Sequence, residues 1–190
     1  MPSTLGIRRR RLRAKHGIGM PGDNSHILHV ARTLRHQVDA AVLGGIAVYL
    51  HGLGRSTVDL DLYTTDRRAT AAQLEATGAR WDAANRQHVL DRVPIHTVTP
   101  DEAGITVKRT SIIDGIRVVT LADLIAIKLL CGLNNPARSK DLGDVEGLIR
   151  AVRLDKRFAA RLPKGVRNEF KALVDAVRQA EKSRPDQPRF

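Results

Sequence analysis

The sequence of 190 residues has one cysteine, few aromatic residues and no long apolar run. Cys131 has no second cysteine to form a disulfide with, so we expect a buried packing thiol and a reducing cytoplasm. Aromatic residues make up only 3% of the chain, so the core must be built from Leu, Val, Ile and Ala. No apolar run approaches the roughly 18 residues of a membrane span. The N-terminus also lacks the hydrophobic segment of a secretory signal.

Acidic residues are missing from residues 1–16, which carry six basic residues and a charge of +6. Residues 150–190 hold twelve basic and five acidic residues, whereas residues 17–149 carry fourteen basic and fifteen acidic residues. The formal net charge of +12 therefore lies at the two ends. Clustered Arg and Lys attract phosphate backbones, so we expect a nucleic-acid partner; a solvated basic tail without a partner is the alternative. The candidate nucleic-acid arm consists of Arg8, Arg9, Arg10, Arg11 and Arg13.

Two aspartates one residue apart, Asp59 and Asp61, follow the glycine pair Gly44-Gly45 within the segment 42–64. In a strand, residues i and i+2 share a face, so the two carboxylates would lie about 7 Å apart along the same side. Two such carboxylates repel each other, and a fold tolerates them most easily with a cation between them. A hard ion such as Mg²⁺ prefers oxygen ligands of this kind. The alternative is an edge strand with two solvated aspartates.

A strongly apolar helix is predicted over residues 121–131, with Thr120 as its cap and Asp123 three residues further on. Lys128 lies in its middle and is costly to bury without an anionic partner. Alternatively, its ammonium group reaches water along its own methylene chain. On a following helix, Asp141 falls at helical spacing from Val145 and therefore shares the inward face. Asp141 and Asp144 also suit the first turn of that helix, where negative charge is favourable.

The order Gly-Gly, Asp-x-Asp, I-K-L-L and R-S-K-D resembles that of the DNA-polymerase-β-type nucleotidyltransferase superfamily, and within it the AbiEii-like toxin nucleotidyltransferases. The resemblance spans roughly residues 38–153. It implies an α+β fold, in which a mixed, nucleotidyltransferase-like sheet is flanked by helices and followed by a C-terminal helical segment. We divide the chain into a basic, disordered arm (1–24), an α/β core (25–119), a C-terminal helical part (120–183) and a tail (184–190).

The residue pattern predicts further elements outside the motifs. Asp66 is placed to cap a helix that runs through Gly78, and weaker strands are expected near residues 87–91, 93–98, 104–108 and 112–119. A last, basic amphipathic helix is expected from about Gly165 to Lys182. Its apolar stripe is Phe170, Leu173, Val174 and Val177.

The resemblance also implies the chemistry, which is transfer of a nucleoside monophosphate from an NTP to an acceptor. Asp59 and Asp61 would hold Mg²⁺ or Mn²⁺, and Gly44 and Gly45 would let backbone amides approach the phosphates. Lys128, with Arg55, would neutralise phosphate charge. Asp141 would be a further metal ligand or would activate the acceptor hydroxyl. The basic ends favour an RNA acceptor, the resemblance alone points to tRNA, and a toxin role would imply an antitoxin partner.

His96 is a departure from the family pattern. Many members carry a third carboxylate on the strand after the Asp-x-Asp hairpin, and the corresponding strand here, residues 93–98, has His96 in its place. Imidazole is a poorer Mg²⁺ ligand than carboxylate. Asp141 would then supply the missing oxygen, or the site would hold metal weakly, or catalysis has been lost. A single strand histidine is otherwise more often a structural, hydrogen-bonded residue.

Three functions therefore remain open from the sequence. The first is the metal-dependent nucleotidyltransferase. The second is a catalytically inactive protein of the same fold that binds nucleic acid or a protein partner. The third, a nucleotidyltransferase acting on a small molecule such as an antibiotic, keeps the same motifs, but the basic ends argue against it.

Overall fold

A computed structural model describes residues 23–183 of the chain. The five arginines of the candidate arm and the predicted tail lie outside the described residues. Residues 23 and 24 are described although the sequence places them in the arm. Asn24 is buried there and is bonded to residues 55 and 57.

Seven helices and seven strands make up the described part of the chain. The helices are α1 (Ser25–Leu34), α2 (Gly44–Leu50), α3 (Arg67–Ala76), α4 (Pro100–Ala103), α5 (Leu121–Asn134), α6 (Ser139–Val152) and α7 (Arg167–Lys182). The strands are β1 (Ala41–Leu43), β2 (Leu60–Tyr63), β3 (Arg80–Asp82), β4 (Gln87–Leu90), β5 (Val93–Val98), β6 (Thr110–Ile113) and β7 (Ile116–Val119). Short 3₁₀ turns precede α6 and α7.

All seven strands form one mixed sheet in the order β3-β4-β5-β2-β1-β7-β6. The pairs β1–β7 and β2–β5 are parallel, and the other neighbours are antiparallel. The strand carrying Asp61 therefore lies centrally, between β1 and β5. The expected α+β fold, a mixed sheet flanked by helices with a C-terminal helix, is confirmed.

The alternation of side chains along β2 divides the sheet into an apolar face and a polar face. Leu60 and Leu62 are buried on one face, next to Ile95 of β5. Asp61 points to the opposite face, beside its register partner His96. Burial of the leucines fixes this register, because a shift of one residue would move the aspartate into the core and the leucines out of it.

The C-terminal helices cover the polar face near Asp61 and leave a cleft beside it. Helix α5 packs on α2 and α6, and α6 packs in turn on α7. Thr120 caps α5 as expected, since its hydroxyl oxygen accepts a hydrogen bond from the Asp123 amide. The stripe of α7 is also as expected, with Phe170, Val174 and Val177 buried. In the described part of the chain, no helix is both long enough and apolar enough to cross a membrane.

Residues 112–119, expected as one strand, are instead the end of β6, a turn and β7. Asp114 and Gly115 both adopt positive φ, at 49° and 76°. This pair forms the tight, left-handed turn that suits a two-residue hairpin, and Asp-Gly is its usual sequence signal. The expectation of a single strand was therefore wrong.

Residues 104–108, also expected as a strand, have no regular structure. Gly104 ends α4 in the left-handed conformation, with φ of 72°. The Tyr63 hydroxyl then accepts a hydrogen bond from the Val107 amide and donates one to the Ile105 carbonyl. A side chain thus supplies the partners that a neighbouring strand would otherwise provide.

His51 couples the fold to pH. It lies at the end of α2, and its Nε2–H donates to the Val119 carbonyl at 2.9 Å. Burial lowers the pKa of His51, although the bond to Val119 partly opposes this. The folded state then binds a proton at His51 less readily than the unfolded state does. The contribution of neutral His51 to folding stability is therefore complete above the unfolded pKa of about 6.5. It is lost as the pH falls through the folded pKa.

We therefore expect His51→Leu to be destabilised by about 0.5–1.5 kcal/mol at pH 8, through loss of a hydrogen bond. The difference in the free energy of unfolding between the variant and wild type should narrow at pH 5. Urea unfolding of both proteins across this range measures it, with the exposed His29→Ala as control. A gap that stays constant or widens in acid would contradict this role of His51.

Candidate active site

Asp59 and Asp61 line one cleft of about 310 Å³, together with Gly44 and Gly45. Asp61 belongs to β2, and Asp59 lies just before it. The Thr57 hydroxyl donates to Asp59 Oδ1 at 2.6 Å, which fixes the orientation of that carboxylate and leaves Oδ2 towards His96. Both carboxylates are partly accessible, so they are not core groups.

The glycine pair is required because the start of α2 comes very close to the segment that carries Asp59 and Asp61. Gly44 has φ of +63°, and a Cβ at this position would lie 1.8 Å from Asp61 Oδ2. A Cβ on Gly45 would lie 2.7 Å from the Thr57 side chain. Both distances are too short for any side chain. The sequence motif thus has a steric cause, since only glycine lets α2 begin directly beside the Asp61 carboxylate.

His96 faces both carboxylates from β5. Its Nδ1 lies 3.6 Å from Asp61 Oδ1 and 3.8 Å from Asp59 Oδ2. Its Nε2–H donates to Oε1, the side-chain amide oxygen of Gln87, at 2.9 Å. The neighbouring Asp61 carboxylate raises the pKa of His96, burial opposes this, and the charge of Asp59 adds to the increase. The histidine therefore belongs to the site rather than to a separate structural network.

Asp59, Asp61 and His96 are fit to hold a divalent metal ion. One ligand atom from each lies within 4.8 Å of the others, so a cation could contact all three. Asp141, the other candidate for the missing oxygen, is outside this group. Both of its carboxylate oxygens instead accept hydrogen bonds from cations, as described next.

Lys128 is buried in an ion cluster and does not reach water. It is 5% exposed, and its Nζ lies 2.7 Å from Asp141 Oδ1 and 2.8 Å from Asp144 Oδ2. Asp141 lies on the first turn of α6 and Asp144 one turn later, and together they bring that helix against α5. The cost of burying Lys128 is thus offset, because the lysine has two anionic partners in the interior.

Two arginines extend the cluster towards the cleft. Arg55 donates to Asp144 Oδ2 at 2.6 Å, and Arg138 donates through Nε to Asp141 Oδ2 at 2.7 Å. Burial works against the charge of Arg138, but the carboxylates of Asp141 and Asp61 raise its pKa above the usual value. The side chain of Arg138 is 54% exposed, so this cation remains open to a ligand.

The loop between α2 and β2 is held in place by Asn24. Its side-chain amide donates to the Arg55 carbonyl at 2.7 Å, and its carbonyl oxygen accepts from the Thr57 amide at 3.1 Å. Arg55 is tied at its other end to Asp144. These bonds connect α1, the loop and α6, and they position Asp59 just before β2.

The cleft as a whole is lined by four basic and three acidic side chains: Arg55, Lys128, Arg138 and Lys140, with Asp59, Asp61 and Asp141. A second, smaller cavity of about 140 Å³ adjoins it and shares Gly44, Asp61, Lys128, Arg138 and Asp141. Its remaining walls include apolar residues of β1 and α5. The site thus combines an anionic pair, a cationic wall and an apolar recess.

Two solved structures from Helicobacter pylori resemble the chain. One, assigned as a nucleotidyltransferase, has a TM-score of 0.52 and 14% identity over 89% of this chain and 100% of the other. The second, JHP933, has a TM-score of 0.54 and 14% identity over 87% and 96% of the two chains. The chain has a nucleotidyltransferase-like fold.

The relation is one of fold, since 14% identity carries no activity from one protein to another. No protein-family model and no curated protein sequence matches the chain. The narrower, AbiEii-like assignment therefore still depends on the motifs alone.

All seven of the residues that the sequence proposed for catalysis and nucleotide or metal binding, outside the arm, lie around this site, and His96 joins them: Asp59, Asp61, Lys128, Asp141, Gly44, Gly45 and Arg55. Sequence reasoning gave no role to Asn24, Thr57 and Gln87, and it gave Asp144 only that of a favourable charge in the first turn of its helix. Asp144 is one helical turn from Asp141, and this i, i+3 spacing could have indicated a shared partner. Asn24 and Gln87 act across long sequence separations, for which a single sequence carries no signal.

The ion cluster predicts that Lys128 is first of all a structural cation. Lys128→Met leaves Asp141 and Asp144 buried with only Arg138 and Arg55 as partners. We expect a loss of about 3 kcal/mol, at the low end of the range for a broken buried pair. Urea unfolding measures it.

Lys156→Met is the matched control, because Lys156 pairs with Asp175 at the same 2.7 Å but both side chains are more than half exposed. That variant should change stability by less than about 1 kcal/mol. Equal effects of the two substitutions would show that the buried cluster does not hold α5 against α6.

Proposed function

We propose that the protein is a metal-dependent nucleotidyltransferase, which moves a nucleoside monophosphate from an NTP to an acceptor hydroxyl. The observation that carries the proposal is the placement of Asp59 and Asp61 on one cleft wall, with Gly44 directly against Asp61. The nucleotidyltransferase-like fold and the metal-compatible group of Asp59, Asp61 and His96 support it.

In the proposed reaction, the acceptor oxygen forms a bond to the α-phosphorus. The bond from that phosphorus to the bridging oxygen of the β-phosphate breaks, and pyrophosphate leaves with the electron pair. The hydroxyl proton passes to water in the open cleft. A divalent ion held by Asp59 and Asp61 would supply positive charge beside the triphosphate. Gly44 and Gly45 leave the backbone accessible to the phosphates, since no side chain intervenes.

The cations divide into two groups by the exposure of their side chains. Arg55 and Lys128 are paired with buried carboxylates, so their main contribution is to fix the walls of the cleft. Arg138 and Lys140 are exposed at the cleft and are the better candidates to contact phosphate oxygens. Asp141, whose oxygens are both occupied, would act by orienting Arg138 and Lys128.

Asp59→Asn tests the reaction directly. We expect it to abolish incorporation of label from α-³²P NTPs into RNA, a loss of at least about a hundredfold, because one metal-binding oxygen is lost. Its melting temperature should remain close to that of wild type, since Asp59 is only partly buried. All four NTPs are offered with total tRNA, in Mg²⁺ and in Mn²⁺.

Asp101→Asn is the control, because Asp101 is exposed on α4 and does not line the cleft. It should retain wild-type activity. Full activity of Asp59→Asn would show that Asp59 is not part of the active site.

RNA, and tRNA in particular, is the acceptor class that we propose from the basic ends of the chain. If Arg8, Arg9, Arg10, Arg11 and Arg13 bind phosphates, affinity should fall steeply with salt and depend little on sequence. Deleting residues 1–19 removes six positive charges. It should lower tRNA affinity and flatten the salt dependence, whereas NTP binding in the cleft persists.

Fluorescence titration with tRNA and with an unrelated duplex, over a range of salt concentrations, measures the affinity and its salt dependence. Equal affinities and slopes for the full and shortened chains would mean that the arginines are not a nucleic-acid arm. A small-molecule acceptor would then be favoured.

An inactive protein of the same fold, binding nucleic acid or a protein partner, is the alternative that His96 favours, because it replaces a carboxylate beside Asp61. Binding of NTP that does not depend on metal would support it. A role as the toxin of a toxin–antitoxin pair stays a proposal from the motif resemblance, and an antitoxin-like gene beside this one would support it.

A further inference from the structure

We propose that His96 is a metal ligand, and that with Asp59 and Asp61 it makes the site select a first-row transition-metal ion such as Mn²⁺ over Mg²⁺. This inference deepens the proposed function and rests on it for its biological meaning. Metal binding itself can be measured without any turnover.

The three candidate ligand atoms converge, and the other atom of each group is directed elsewhere. Thr57 occupies Asp59 Oδ1, and Gly44 lies against Asp61 Oδ2. Gln87 occupies His96 Nε2. Asp59 Oδ2, Asp61 Oδ1 and His96 Nδ1 remain, and the nitrogen lies 3.8 and 3.6 Å from the two oxygens. A histidine ligand whose second nitrogen donates to a carbonyl oxygen is the usual arrangement in metal sites.

The bond to Gln87 also determines which nitrogen can bind metal. With the side-chain oxygen of Gln87 as the acceptor, Nε2 carries the proton and Nδ1 of a neutral ring carries the lone pair. That lone pair faces two carboxylates, an arrangement that is repulsive without a positive charge between them. A metal ion supplies this charge. The competing arrangement is a doubly protonated His96 that acts as a counter-ion to the two aspartates.

The donor set decides between metals. Mg²⁺ favours oxygen ligands in octahedral geometry, whereas imidazole favours first-row transition metals, with affinity rising from Mn²⁺ to Co²⁺. Exchanging the imidazole for a carboxylate should therefore shift the preference towards Mg²⁺. The His96 side chain is partly exposed to solvent, so its replacement by aspartate does not disturb the core.

The test is isothermal titration of the full chain, free of any histidine tag, with Mg²⁺, Mn²⁺ and Co²⁺ in the absence of nucleotide. Electron paramagnetic resonance of bound Mn²⁺ gives a second readout. Wild type should bind Mn²⁺ about tenfold or more tightly than Mg²⁺, and Co²⁺ more tightly still. His96→Ala should lose more than about tenfold in Mn²⁺ affinity, and Gln87→Leu about tenfold. His96→Asp should favour Mg²⁺ relative to wild type.

His29→Ala removes one exposed imidazole elsewhere and should bind all three ions as wild type does. Equal affinity of wild type for Mg²⁺ and Mn²⁺, or unchanged or tighter Mn²⁺ binding by His96→Ala, would overturn the proposal and favour the counter-ion. Failure of the proposed function is a separate result, in which Mn²⁺ binds as expected but the loaded protein transfers no nucleotide.

Discussion

The ion cluster of Lys128, Asp141 and Asp144 is the interaction on which the site depends. It joins α5 to α6 in the interior, and through Arg55 it reaches the loop that leads to Asp59. Buried charges of one sign are costly, so each member of the cluster needs the others. The cleft is therefore defined by residues that satisfy one another before any ligand binds. Arg138, half exposed at its edge, extends that charge balance towards the carboxylate pair.

The central strands and the Asp-x-Asp site were predictable because local constraints specify them. Alternation of Leu60, Asp61 and Leu62 fixes the faces of β2, and Gly44 has no sterically possible replacement beside Asp61. Thr120 and Asp66 likewise mark the starts of α5 and α3, as caps do. Where prediction failed, the cause was a turn or a distant partner. The Asp114-Gly115 turn divides the region read as one strand, and Tyr63 takes the hydrogen bonds of the region read as another.

The chemistry around the pair was only partly predictable, because contacts between distant segments decide it. The sequence marks His96 as a departure but gives no reason for its identity, which depends on Gln87 across the β4–β5 hairpin. It also indicates that Lys128 needs an anion, without showing that two aspartates supply it. A role for Lys128 in phosphate binding is thus secondary to its role in holding the helices together, and Arg138 and Lys140 are better placed for a ligand.

The most direct measurement is a crystal structure with Mn²⁺ and a non-hydrolysable NTP analogue, with anomalous diffraction at the manganese edge to locate the metal. We expect an anomalous peak about 2–2.3 Å from Asp59 Oδ2, Asp61 Oδ1 and His96 Nδ1, with the triphosphate between this peak and Arg138. A manganese peak elsewhere, or an analogue bound in the cleft with no metal between Asp59 and Asp61, would contradict a metal-dependent nucleotidyltransferase site.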